Sequence, residues 1–171
     1  KVALVKYHPG YNPDLLKNII DSGYKAIIFE GTGLGHIGKN MYPIVKIANE
    51  KGIFMGMTSQ CIDGRVRMTV YESGRDLLNL GIIPLENMIP EIALVKAMWV
   101  TGNTEKYDEI KENMLNQIAS EFTTWSGNNM EKFSIKDVGV KVGLEIHQQL
   151  EANYEEINQK LDQLEEEGFD I

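Results

Sequence analysis

The sequence predicts an α/β fold: a small open, mostly parallel sheet with helices on both faces. Three short apolar runs within residues 1–122 are typical of buried strands, and segments with helical spacing of apolar residues separate them. The runs are almost continuously apolar rather than alternating, which indicates parallel strands covered on both sides. We therefore expect residues 1–122 to form a doubly wound α/β layer.

Local signals place the first five elements. The first strand is expected to stop at the turn signal Pro9-Gly10. A helix follows, with Asn12 as its cap, Pro13 as its first residue and Gly23 at its end. Three strands are predicted at KVALVKY, YKAIIFE and IFMGMTS. The second helix is predicted at MYPIVKIANEKG, between the second and third strands.

The pattern is less regular after the third strand. A short helix is predicted from Arg75 to Leu80, and a longer one begins at Pro90 and ends at Gly102-Asn103. A last helix is predicted within residues 104–122, with one apolar stripe formed by Tyr107, Ile110, Met114 and Ile118.

The remainder of the chain changes character. Residues 123–133 have the composition of a linker. Residues 134–150 contain a clean period-two pattern, which predicts a half-buried strand that needs a partner. Residues 151–171 predict an acidic amphipathic helix whose apolar stripe is Tyr154, Ile157, Leu161 and Leu164.

Charge and composition exclude several classes of protein. The net charge is −8; residues 151–171 hold eight acids and one base, so residues 1–150 carry only −1. Such a chain offers no broad basic surface for nucleic acid. Its apolar runs are too short to cross a membrane, and the single cysteine, Cys61, fits a reducing cytoplasm. Because Lys1 opens directly into a strand pattern, we expect the chain to be part of a longer protein.

A glycine-rich segment follows the second predicted strand. Gly33, Gly35 and Gly38 form G-x-G-x-x-G, which suggests a dinucleotide-binding loop. That motif calls for an acid at the end of the next strand, where residues 58–60 are instead threonine, serine and glutamine. Two other interpretations stay open: a permissive strand-to-helix turn, or a loop at the carboxyl edge of a sheet that meets a different small ligand.

Three stretches resemble one family: YHPGYNPDLL, IIFEGTGLGHIG and the long run that starts at GMTSQCIDGRVRM. Over about residues 1–122 the chain resembles the carboxy-terminal half of the D-type subunit of archaeal glutamyl-tRNA(Gln) amidotransferases, within the type I L-asparaginase family. The later segment VGVKVGLEIHQQL resembles the opening strand of the E-type subunit, the tRNA-handling partner in the same amidotransferase.

The resemblance implies an activity shared between chain segments. In this family a threonine nucleophile hydrolyses a glutamine or asparagine side chain, and a second threonine, an aspartate and a lysine assist. The released ammonia passes to the E-type subunit, where ATP and magnesium support the conversion of Glu-tRNA(Gln) to Gln-tRNA(Gln). The nucleophile half is absent here, so this chain is expected to contain no catalytic residue, to be inactive alone and to bind no cofactor in its α/β domain.

The expected partners are therefore the missing amino-terminal half, a neighbouring copy of the domain, the E-type subunit of the amidotransferase and, through it, Glu-tRNA(Gln). The resemblance leaves two alternatives: half of a free type I L-asparaginase, or a non-catalytic module for dimerisation or partner binding. No membrane partner is expected.

The resemblance also implies binding residues. In this family the glycine loop completes the active site of a neighbouring subunit, and His36 stands where an asparagine is common. Gly33 and Gly35 would allow close approach of a small zwitterion, and Ser59 and Gln60 would line an amino-acid or effector pocket. The alternatives are that His36 caps the following helix and that Ser59 and Gln60 satisfy backbone groups at a strand end.

A separate pair, Glu145 and His147, lies two residues apart on the predicted later strand. Both side chains would project from one face, as two ligands of one metal do. A Glu-x-His pair of this kind helps to form a magnesium site in the E-type subunit. The alternative is a solvated pair on an exposed face.

Overall fold

A computed structural model of the chain describes residues 1–123. Within this range four parallel strands form one sheet, and they lie side by side in the order in which they occur along the chain. Because neighbouring strands are parallel, their carboxyl ends meet at one edge of the sheet. The strands are β1 (Val2–Lys6), β2 (Ala26–Gly31), β3 (Phe54–Ser59) and β4 (Ile83–Pro84).

Five helices cover the two faces of the sheet. They are α1 (Pro13–Asp21), α2 (Tyr42–Glu50), α3 (Glu72–Asn79), α4 (Pro90–Asn103) and α5 (Tyr107–Leu115). The first three pack on one face, where they share a core with Ile27, Phe29 and Met55. The last two pack on the other face, over Ala26, Ile28 and Phe54. The predicted parallel sheet with helices on both faces is confirmed.

The helix signals in the sequence act as expected. The side chain of Asn12 accepts a hydrogen bond from the backbone N–H of Asp14 at 3.0 Å, and Pro13 opens α1. Gly23 follows this helix with φ at 72°, a conformation that favours glycine. Pro90 opens α4, which ends at Asn103 as predicted.

The winding of the sheet differs from the expected doubly wound layer. Each crossover moves one strand in the same direction, so α1, α2 and α3 all lie on one face. In the described residues the opposite face is covered by α4 and α5, which follow the last strand. Among the four described strands the order never reverses, so this part of the chain lacks the switch point at which doubly wound sheets open a ligand crevice.

Two other elements were not predicted as they occur. β4 is two residues long and was missed because so short a segment carries no periodicity. α3 begins at Glu72, three residues before the predicted start at Arg75.

The last predicted helix is shorter than expected. α5 ends at Leu115, and Ile118 is 54% exposed instead of continuing the apolar stripe. The buried ammonium of Lys96 donates a hydrogen bond to the backbone carbonyl of Asn116. The carboxylate of Glu121 accepts a hydrogen bond from the backbone N–H of Ile118 at 2.9 Å. These side chains use backbone groups that a longer helix would need, so tertiary contacts end α5.

Most of the predicted linker, the predicted later strand with Glu145 and His147, and the predicted acidic helix lie outside the described residues. Within residues 1–123 no helix is both long enough and apolar enough to span a membrane.

Candidate functional site

The glycine loop is a tight hairpin at the carboxyl end of β2. The backbone N–H of Thr32 donates to the carbonyl of His36 at 2.9 Å, and the N–H of His36 donates back at 3.0 Å. Gly33 and Gly35 have φ values of 51° and 96°, which side chains rarely adopt. The two glycines therefore let the chain reverse direction within five residues.

The two glycines have different surroundings. A Cβ on Gly35 would lie 2.3 Å from Cγ1 of Val66, so this glycine is required for packing under the segment that follows β3. The N–H of Arg67 donates to the carbonyl of Leu34 at 2.9 Å and holds that segment in place. Gly33 is exposed, with no atom within 4 Å of a Cβ built on it. The exposed tip is thus the part of the loop where a ligand can approach the backbone.

Ser59 and Gln60 hold the loop against the ends of the neighbouring strands. The hydroxyl of Ser59 donates to the carbonyl of Gly33 at 2.6 Å. The side-chain amide of Gln60 donates to the carbonyl of Glu30 at 2.9 Å and to that of Tyr7. These contacts match the interpretation in which both residues satisfy backbone groups at a strand end. They also place Ser59 against the glycine loop.

A cleft of about 220 Å³ opens beside Ser59 and Gln60. Its wall includes the carboxylate of Glu30, whose side chain is 9% exposed and whose Oε2 lies 2.9 Å from Nζ of Lys6. The register of β1 and β2 places these two residues directly opposite each other. The residues that line the cleft therefore include two acids, Glu30 and Glu91, and one base, Lys6, together with the start of α4 at Pro90.

His36 lies away from that cleft. Its Nδ1 is 3.2 Å from the hydroxyl of Ser73 at the start of α3, and the ring of Tyr71 is 5.5 Å away, tilted by 60°. Its Nε2 is buried without a hydrogen-bond partner in the described residues. Burial lowers the pKa of the imidazole below its ordinary value, which favours the neutral ring at pH 7.

The structure gives no support to His36 as a helix cap. The short 3-10 turn at Lys39–Met41 and the start of α2 receive no capping hydrogen bond from a side chain. The interpretation of His36 as a cap is wrong for these elements, because the imidazole is directed to Ser73 instead.

The predicted residues thus divide between two places. His36 belongs to a cluster at the start of α3, on the face covered by α1–α3, whereas Ser59 and Gln60 border the cleft near the start of α4. Sequence reasoning missed Glu30, although it is the single acid in an otherwise apolar strand. It also missed Ser73, which carries no local signal. Among residues 1–123 no group of three His, Cys, Asp or Glu side chains is arranged to hold a metal ion.

Residues 1–114, most of the chain, match the family model of the glutaminase/asparaginase C-terminal domain. The chain belongs to this family. The glycine hairpin, the β3 end and the start of α3 all lie inside the matched residues of this glutaminase/asparaginase C-terminal domain.

Similar proteins include the D-type subunit of glutamyl-tRNA(Gln) amidotransferase from Sulfolobus acidocaldarius, 50% identical over 121 residues, which cover 71% of this chain and 27% of that protein. The corresponding protein of Pyrococcus abyssi is 48% identical over 126 residues, covering 74% of this chain and 29% of that protein. The chain therefore spans less than a third of the length of these relatives.

Solved structures of asparaginases share the fold. The thermostable L-asparaginase from Thermococcus kodakarensis is 34% identical, with a TM-score of 0.66, and the match covers 72% of this chain and 38% of that one. L-asparaginase I from Vibrio cholerae is 27% identical, with the same TM-score and the same coverage of both chains.

Proposed function

We propose that this chain is part of a tRNA-dependent amidotransferase that hydrolyses glutamine or asparagine and releases ammonia for the conversion of Glu-tRNA(Gln) to Gln-tRNA(Gln). The observation that carries the proposal is the 50% identity to a D-type amidotransferase subunit over 121 residues. That identity exceeds the 34% shared with the asparaginase from Thermococcus kodakarensis.

In this proposal the chain supplies binding groups and the nucleophile comes from another segment. The four described strands form no switch-point crevice, and the cleft beside Ser59 and Gln60 is small, about 220 Å³, so a second wall would enclose a ligand at the carboxyl edge. The exposed tip at Gly33 and the polar cluster around His36 suit that arrangement. The threonine that attacks the amide carbonyl would come from the amino-terminal half of a neighbouring copy, and this chain alone would release no ammonia.

The proposed partner for the ammonia is the E-type subunit, which would bind Glu-tRNA(Gln), ATP and magnesium. Glu145 and His147 would supply two ligands of the magnesium ion, since both side chains would project from one face of the strand predicted from the sequence. Titration of the chain with Mg²⁺, followed by NMR, tests this assignment. Shifts confined to these two residues support it, and their absence rejects it.

The proposed binding role of His36 can be tested in the full-length protein that carries this domain. Replacing His36 with alanine removes one hydrogen bond to the substrate, which should raise the glutamine KM about tenfold with little change in kcat. His36→Asn is the matched variant, because it keeps a hydrogen-bond donor at the position and should stay close to wild type. An unchanged KM in the alanine variant would reject the role of His36 in binding.

The second candidate is half of a free L-asparaginase, which the fold shared with solved asparaginases favours. The two candidates differ in their response to tRNA. An amidotransferase should couple ammonia release to Gln-tRNA formation when its tRNA-handling partner and Glu-tRNA(Gln) are added, whereas a free asparaginase should release ammonia at the same rate without them. A non-catalytic module would release none in either assay.

A further inference from the structure

The start of α3 holds the imidazole of His36 in a fixed place. Ser73 lies in the first turn of this helix, and its backbone carbonyl accepts a hydrogen bond from the hydroxyl of Tyr42 at 3.2 Å. The next residue, Gly74, is so close to the preceding segment that a Cβ there would lie 2.1 Å from the carbonyl oxygen of Met68. The hydroxyl of Ser73 is therefore carried by a rigid piece of backbone.

A neutral imidazole carries one hydrogen, and its position depends on the partners of the two ring nitrogens. The Ser73 hydroxyl has one hydrogen-bond partner in the described residues, Nδ1 of His36 at 3.2 Å. A serine hydroxyl inside a helix can donate to the backbone carbonyl four residues earlier. Ser73 lies in the first turn of α3, so α3 has no carbonyl at that position to accept its hydrogen bond. A hydroxyl that donates to Nδ1 leaves the ring hydrogen on Nε2.

We infer that Ser73 is a positioning residue, which fixes His36 as the Nε2–H tautomer and so makes it a hydrogen-bond donor toward the bound amino acid. The ligand part of this inference rests on the proposed function. A donor pairs with a carbonyl or carboxylate oxygen and repels an ammonium group. His36 therefore recognises an oxygen of the amino acid, and its amino group must be bound elsewhere.

The surroundings of Nε2 agree with this assignment. The atom is buried and has no partner in the described residues, and native proteins leave few buried donors in that state. The ring of Tyr71 lies against the imidazole, and Tyr71 itself is 57% exposed. An incoming oxygen can reach Nε2 when the Tyr71 side chain moves into solvent, and it then satisfies the unpaired donor.

The tautomer can be read directly from ¹⁵N–¹H correlation spectra of the histidine rings in the whole chain at pH 8. His36 is assigned as the signal that disappears in His36→Asn. We expect wild type to show the Nε2–H form, Ser73→Ala to show a mixture of both tautomers, and Ser73→Thr to keep the wild-type spectrum. The exposed Ser22→Ala is the control for a serine change that should leave the ring unaffected.

A wild-type ring protonated on Nδ1, or a Ser73→Ala ring that stays purely Nε2–H, would overturn the inference. In the full-length protein Ser73→Ala should raise the glutamine KM about fivefold at constant kcat, and Ser73→Thr should restore it.

Different results would reject the positioning role of Ser73 and the ligand role of His36. If His36→Ala raises KM but Ser73→Ala changes neither tautomer nor KM, the positioning role falls and the proposed function stands. If Ser73→Ala shifts the tautomer while His36→Ala leaves KM unchanged, the ligand role of His36 falls.

Discussion

At the scale of single residues, Gly33 and Gly35 of the glycine hairpin share a positive φ but have different roles. Both have positive φ, but Gly35 is enclosed by Val66 and Met57 while Gly33 faces open space. The enclosed glycine fixes the loop to its own domain. The carbonyl of the open glycine accepts a hydrogen bond from Ser59, but the space where a side chain would lie is open to a partner.

This difference predicts unequal costs for the same substitution. Gly35→Ala combines overpacking with an unfavourable φ and should lower the free energy of unfolding by about 3 kcal/mol. Gly33→Ala places a side chain at a positive φ but meets no neighbouring atom, so it should lower the free energy of unfolding by only about 1 kcal/mol. Urea denaturation of the two variants measures this, and equal losses would contradict the packing described for Gly35.

His36 predicts a dependence of stability on pH. Burial lowers the pKa of His36 in the folded state, so below its ordinary value of 6.5 the unfolded chain binds the proton more readily. The free energy of unfolding should therefore fall as the pH drops from 7.5 through 6.5 toward the lower folded pKa. His36→Asn should weaken this slope, and a slope that is unchanged in the variant would contradict the assignment.

At the scale of elements, the end of α5 depends on one buried ion pair. Nζ of Lys96 lies 3.0 Å from Oε1 of Glu121, and the two side chains are 4% and 9% exposed. The same ammonium lies 5.1 Å from the centre of the Phe122 ring. These contacts fix the segment after the helix onto α4.

Breaking this pair should be costly. Lys96→Met leaves the Glu121 carboxylate without its cation and should lower the free energy of unfolding by about 3 kcal/mol. Lys46→Met is the matched control, because Lys46 and Glu50 form an exposed pair at 4.0 Å whose loss should cost less than about 0.5 kcal/mol. Similar losses in both variants would show that the buried pair does not hold α5 in place.

The same pair predicts acid sensitivity. Burial alone would raise the pKa of Glu121, but hydrogen bonds from backbone N–H groups and from Lys96 outweigh it and lower the pKa to about 2. The stabilisation from Glu121 is therefore complete above its ordinary pKa of 4.5 and is lost as the pH falls from 4.5 toward 2. Glu121→Gln should flatten the stability profile in that window, which thermal melts between pH 2 and pH 5 can follow.

Elements defined by local interactions could be predicted from the sequence, whereas features that depend on contacts between distant residues could not. β1, β2, β3, α1 and α4 were predicted because their signals are local, such as Asn12 and Pro13 at the start of α1. The end of α5 could not be predicted, since it depends on Lys96 and Glu121, far apart in the chain. The same holds for the site. The position of Ser59 at the end of a strand could be predicted from the pattern of a parallel sheet, whereas no spacing of residues in the sequence indicates the contact between His36 and Ser73.

At the scale of the whole molecule, two features suit a domain that works with another unit. The sheet formed by residues 1–123 has no switch-point crevice, and the outer side of α4 carries apolar side chains that are half exposed. A helix that is apolar on both sides is usually buried between layers. The exposed residues of this side are Ile92, Val95, Met98 and Trp99.

The proposed function requires that this domain complete an active site whose nucleophile belongs to a neighbouring copy. The direct measurement is complementation between two inactive full-length variants, mixed by unfolding and refolding together. One lacks the nucleophilic threonine; the other carries His36→Glu, whose carboxylate would repel the substrate oxygen and so disable the site, unlike the milder His36→Ala. If the sites are shared in a two-fold dimer, half of the dimers are mixed and each holds one intact site, so glutaminase activity should return to about a quarter of wild type. A mixture that stays as inactive as its two components would show that the active site is not shared between copies.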